Sequence, residues 1–183
     1  MAENFKEHNR EVKKLWESFD TGNPDRIPMT IGVNPRFLLL DPKYNKNGIT
    51  FFDYFNDPDI MWNTQLEFAE LAAFNIYYDH EMGIPENGWT VNVDFQNTFE
   101  APWLGCEILY PEYNVPVTVP FLQDDNKYEL IEKGVPDPFA GFLRTVKERY
   151  EIFCEKITKG AVYSGAPVTA VNKVMDGTDG PFT

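Results

Sequence analysis

Histidine and cysteine are scarce in this sequence, with two of each among 183 residues. Cys/His metal centres draw their ligands from closely spaced pairs, and Cys106 and Cys154 stand too far apart to form one. One disulfide between them remains open, but two buried thiols in a reducing compartment are the better reading. Basic charge is thin as well: 16 Lys and Arg face 29 Asp and Glu, for a formal charge of -13. The only adjacent basic pair, Lys13-Lys14, is flanked by Glu11 and Glu17. A surface of this sign repels phosphates, which excludes nucleic acid as a partner. No apolar run approaches the ~18 residues that cross a bilayer. Met1 to Glu7 lacks the apolar stretch of a signal peptide. A soluble, cytoplasmic protein is expected, without a membrane partner. Walker loop, dinucleotide fingerprint, nucleophile elbow and zincin helix are all missing.

What is present is apolar and aromatic. A hydrophobic content of 43% with 15% aromatics implies a globular core. The length suits one domain and is short for two. Phe5, Val12, Leu15, Trp16 and Phe19 recur at helical spacing, and Asp20 to Pro24 supply the breakers that end this helix. Ile27 to Val33 reads as a first buried strand. Asp57-Pro58 opens a second helix, with aspartate as cap and proline in the first turn. Phe74 to Asp79 reads as a second strand. Asp137-Pro138 repeats the helix-start device, and Gly160 suits the end of that helix. Val168 to Val174 reads as a third strand. Residues 83–121 alternate in a strand-like way and read as a β-rich insertion. Strands alternating with helices imply α/β architecture, with a parallel sheet and crossover helices. Three parallel strands and three helices could make a small open sheet, but they cannot close an eight-stranded barrel. A fragment ending inside a strand–loop–helix unit is the sharper reading.

In such folds ligands collect at the carboxyl ends of the strands. That rule selects Asn34 and Arg36 after the first strand, Asp79 and His80 after the second, and Asp179 and Gly180 after the third. Asp79 ends an apolar run, where partial desolvation tunes a carboxyl for proton transfer, for an N–H contact or for a metal; a plain turn cap is the alternative. Arg36 suits a bidentate carboxylate clamp or an ordinary surface ion pair. His80 has acidic neighbours in Asp79, Glu81 and Glu86, but their spacing follows no ligand pattern, so no metal ligand is assigned. Gly180-Pro181 allows close backbone approach ahead of a helix.

These segments together resemble uroporphyrinogen decarboxylase-like proteins. Asn23-Pro24-Asp25-Arg26-Ile27-Pro28 is similar to that family's entry to its first strand. Phe74-Asn75-Ile76-Tyr77-Tyr78-Asp79 resembles the second strand with its pocket aspartate, and Gly180-Pro181-Phe182-Thr183 resembles the loop after the third. The resemblance implies a partial (β/α)8 TIM barrel, about three of eight strands, spanning residues 1–183, with the insertion at about 83–121. Asp79 would be its catalytic carboxylate, and Asn34, Arg36, His80, Asp179 and Gly180 would bind substrate. It also implies a tetrapyrrole or corrinoid-type ligand. The family's two activities are decarboxylation of uroporphyrinogen in porphyrin biosynthesis and zinc-dependent methyl transfer between corrinoids and thiols. An arginine-rich segment follows the first strand in decarboxylases, whereas Ile31 to Phe37 holds one arginine. The departure favours a corrinoid-linked methyltransferase-like enzyme, with decarboxylase as the alternative. Zinc and a corrinoid would serve the full-length enzyme, and neither is assignable within this chain. A further alternative is a non-catalytic half-barrel that assembles with a second chain or a missing C-terminal half.

Overall fold

The computed structural model describes residues 2–32, 34–135 and 137–172. In chain order the elements are α1 (Ala2–Asp20), α2 (Arg36–Leu40), α3 (Phe51–Asn56), α4 (Pro58–Asn75), β1 (Trp89–Asn92), α5 (Glu100–Trp103), β2 (Glu107–Leu109), β3 (Val117–Val119), α6 (Glu129–Lys133), α7 (Phe142–Thr158), β4 (Val162–Tyr163) and β5 (Ala166–Asn172). Among the described residues the five strands form two small sheets. One has the order β1-β5-β4, with β1 and β5 parallel and β4 antiparallel to β5; the other is the antiparallel β2-β3 hairpin.

The long helices form where the apolar spacing places them. Asp57 caps α4 by accepting the N–H groups of Asp59 and Ile60, and Pro58 occupies the first turn. At the end of α7 the N–H of Ala161 bonds the carbonyl of Lys156, and that of Gly160 bonds Ile157. This double closure needs a left-handed residue, and Gly160 supplies it at φ 79°. Asp137-Pro138 does not open the helix as expected. Asp137 instead accepts the N–H of Phe139, and α7 starts after Gly141. The short helices α2 and α3 fall within a stretch that reads as loop. Thr50 and Asp53 close a reciprocal capping box on α3, which lets a six-residue helix form.

The expected partial (β/α)8 barrel is overturned by the strand pairing. Helix predominates, and neither sheet closes. Two of the three expected barrel strands join no ladder. Residues 27–32 join no ladder among the described residues: Pro28 offers no donor, and both backbone groups of Met29 are taken by Asp79. The segment Phe74 to Asp79 begins as the last turn of α4, with the Ile76 N–H bonded to Ala72 and the Asn75 side chain bonded back to Leu71. The insertion is corrected too, because its first strand, β1, is the parallel partner of β5 at the centre of the fold. Methyltransferase and lyase activities, which the resemblance attaches to a closed barrel, do not carry over to this topology.

The core lies where α4 packs on β1 and α7 packs on β5. Trp62 meets Phe153 edge-on at 5.1 Å, joining the two helices, and Phe95 meets Phe142 at 4.9 Å. Met61, Leu66, Val91, Leu143 and Phe153 are almost wholly excluded from water. Each such side chain contributes roughly 1.5–3 kcal/mol of transfer free energy. Among the described residues no helix is long and apolar enough to cross a membrane.

Candidate functional site at the carboxyl end of the parallel pair

Parallel pairing aims the carboxyl ends of β1 and β5 the same way, and the first acidic residue beyond β1 on this edge is Asp94. Its carboxylate is held by neutral donors. The Tyr54 hydroxyl donates to Oδ2 at 2.9 Å, the Gln96 side-chain amide donates to the same oxygen at 2.7 Å, and the Gln96 backbone N–H donates to Oδ1 at 2.9 Å. Gln96 accepts a left-handed backbone, φ 58°, to make this turn. That conformation is costly for a side-chain-bearing residue and is offset by the two bonds it permits. Tyr54 comes from α3 and is fully buried. Burial raises its pKa well above 10.0, and the neighbouring Asp94 charge adds to the rise, so the phenol stays a donor. Among the described residues no ion pair includes Asp94.

One of the sequence-predicted residues, Arg36, reaches this edge, with Asn34 beside it. The Asn34 side chain accepts the Arg36 N–H at 2.9 Å, which opens α2, and the Arg36 guanidinium donates through Nη2 to Asn97 Oδ1 at 2.9 Å. Arg36 Nε is buried without a hydrogen-bond partner. A carboxylate with spare acceptor capacity and an arginine with a spare donor therefore both engage the loop that follows β1.

Asp79 and His80 lie elsewhere, against α1. Arg26 clamps Asp79 bidentately at 2.5 and 2.6 Å, and the Met29 N–H donates to it at 2.7 Å. Arg26 and then the Met29 N–H pull the carboxyl down to about 2, against a smaller opposing effect of burial. A carboxylate so held is ionised at neutral pH and is no proton donor. The Trp16 indole donates to the Asp79 carbonyl at 2.7 Å, His8 Nε2 lies 3.0 Å from the His80 carbonyl, and the His80 ring stacks on Tyr78. Asp179 and Gly180 lie outside the described residues. Cys106 and Cys154 are free and half-buried. Among the described residues no three His, Cys, Asp or Glu side chains gather as a metal site.

Sequence reasoning missed Asp94, Tyr54 and Gln96. The signal was present: Trp89 to Phe95 alternates like a strand, and the strand-end rule applied there selects Asp94 just as it selects Asp79 after residue 78. Assigning that stretch to an insertion hid it. No family model, curated protein or solved structure matches this chain.

Proposed function

We propose that the chain holds a tetrapyrrole- or corrinoid-type ligand at the β1/β5 carboxyl edge, as part of a uroporphyrinogen decarboxylase-like protein. One observation carries this reading: Asp94 is fixed by three neutral donors and paired with no cation among the described residues. A carboxylate offers about four acceptor positions, so one remains for a ring N–H or an amide of a ligand. Arg36 Nε supplies the opposite need, a donor for a peripheral carboxylate or amide. We place the protein in a reducing, cytoplasmic setting, a reading supported by its two free thiols.

The test is an absorbance titration of the full chain with hydroxocobalamin and, separately, with uroporphyrin. A saturable spectral change is expected with at least one of them. Asp94→Asn should weaken it about tenfold, since a tenfold change corresponds to ~1.4 kcal/mol. Asp79→Asn should leave it within about twofold. No saturable change with either compound, or one indifferent to Asp94→Asn, removes the reading.

A second reading, assembly with another chain, is favoured by the 27–32 segment. Ile27, Met29 and Ile31 alternate along it and are 77%, 61% and 42% exposed. Its backbone is engaged at Met29 by Asp79, so what it offers a second chain is the exposed apolar side chains rather than a free strand edge. β1 lies along one edge of β5, and β4 pairs with the other only at Ala166 and Pro167. Light scattering that finds only monomer at high concentration would argue against self-assembly through this segment.

A further inference from the structure

A cavity of about 490 Å³ opens between residues 39–52 and the loop joining β2 to β3. Buried Leu39 and Phe51 lie on its inner side. Two of its walls are aromatic and meet at a right angle: Phe52 and Tyr110 have ring centroids 5.3 Å apart and planes at 85°. Tyr110 is backed edge-on by core residue Phe55 at 5.8 Å, so the corner is anchored to the interior. Tyr113 adds a third ring at the rim, 86% exposed and held at φ 58°. Asn45 braces the opposite side, donating to the carbonyls of Leu39 and Ile49 and accepting the Ile49 N–H.

Charge decides what fits. Glu112 is the only charged residue lining the cavity, and it is exposed and outside every ion pair of the described residues. Ring faces carry negative quadrupole potential, and the carboxylate adds full negative charge. Anions are therefore repelled, and the chain's net charge of -13 strengthens that bias. A bare divalent cation needs several oxygen ligands, and one carboxylate against aromatic walls does not provide them. A neutral apolar molecule makes no use of Glu112. An ammonium wrapped in alkyl groups uses both the ring faces and the carboxylate.

We propose that this aromatic corner binds a small alkylated ammonium cation of the choline type. Its lining side chains differ from those of the β1/β5 edge, although α2 and α3 serve both, and each reading is tested by its own ligand.

Calorimetric titration of the full chain with choline tests it, alongside the uncharged isostere in which carbon replaces the quaternary nitrogen. Saturable choline binding is expected, with the isostere about tenfold weaker because it lacks the charge the rings and carboxylate attract. Glu112→Gln should weaken choline about fivefold, and Phe52→Leu by a similar factor. Both positions are exposed, so circular dichroism should match the parent chain. Three results overturn the proposal: no choline binding up to about 50 mM, far weaker than any specific affinity; equal binding of choline and isostere; or unchanged affinity in both variants.

Discussion

The side-chain amide of Gln65 takes both backbone polar groups of Asn92: Nε2 donates to the carbonyl and Oε1 accepts the N–H, each at 2.7 Å. Gln65 projects from α4 and is 6% exposed, so it occupies the position a neighbouring strand would otherwise fill. The amide substitutes for one rung of a ladder on β1. It keeps two half-buried backbone groups satisfied and blunts the strand against further pairing at this residue.

Replacing that amide should be expensive. Gln65→Leu keeps the volume but orphans a half-buried donor and acceptor, for a loss of about 1–2 kcal/mol. Urea denaturation is expected to show a lower midpoint at unchanged slope. A loss under about 0.5 kcal/mol, the range of ordinary surface changes, would show that water replaces Gln65 at no cost.

Tyr54 should make stability fall at high pH. Burial, aided by the Asp94 charge, raises its folded pKa well above the ordinary 10.0. The unfolded phenol therefore ionises first, so the contribution is intact below pH 10.0 and is lost as pH rises above it. Tyr54→Phe removes the bond to Asp94 at a cost of about 1 kcal/mol near neutrality. The variant should also show a shallower alkaline decline than the parent chain. Parallel declines would mean that Tyr54 ionises freely in the folded protein.

The Arg26–Asp79 clamp should act at the opposite end of the scale. The Asp79 carboxyl is depressed from 3.8 to about 2, so its stabilising contribution is present above pH 3.8 and lost as pH falls through about 2. Arg26 is 58% exposed, and solvent screening keeps the contribution small. Acid unfolding followed by tryptophan fluorescence should begin at higher pH in Arg26→Gln. An unchanged midpoint would show that the Met29 N–H alone holds the carboxylate.

Gly88 should tolerate no side chain. A Cβ there would stand 2.5 Å from the Pro167 carbonyl oxygen and 2.8 Å from Thr169 Cγ2, on a backbone at φ 82°. Gly88→Ala therefore combines left-handed strain with a clash against β5, for a loss of about 2 kcal/mol or more. A drop in Tm of roughly 4–8 °C is the expected calorimetric result for a chain of this size. A Tm within a degree of the parent would show that the β1–β5 spacing at this point is loose.

Local chemistry explains which features are legible in the amino-acid sequence. The helical spacing in α1, α4 and α7, the Asp57-Pro58 cap and the Gly160 stop each depend on residues within a few positions of one another. The α3 capping box is equally local, since Thr50 and Asp53 stand three residues apart, but the surrounding Asn, Pro and Gly make the stretch read as loop. The strand-end rule picks Asn34 and Arg36, and Arg36 reaches the β1 loop while Asn34 bonds the Arg36 N–H, although the segment expected to carry them is no strand. Arg36 arrives through α2 and its bond to Asn97.

Composition and short-range spacing were enough for the long helices, most of their caps, the acidic balance and the scarcity of metal-type ligands, because none of these depends on a distant segment. The choice of which apolar run became a strand belonged to long-range packing. Ile27 to Gly32, Phe74 to Asp79 and Trp89 to Asn92 are all plausible on propensity. The outcome turned on partners dozens of residues away: Arg26 and Met29 engage Asp79, while Gln65 and β5 engage β1. A strand's hydrogen bonds are completed by another segment, so no local pattern reveals which segment will complete them. The same long-range choice moved the strand-end acid from Asp79, neutralised by arginine, to Asp94, which no cation among the described residues pairs.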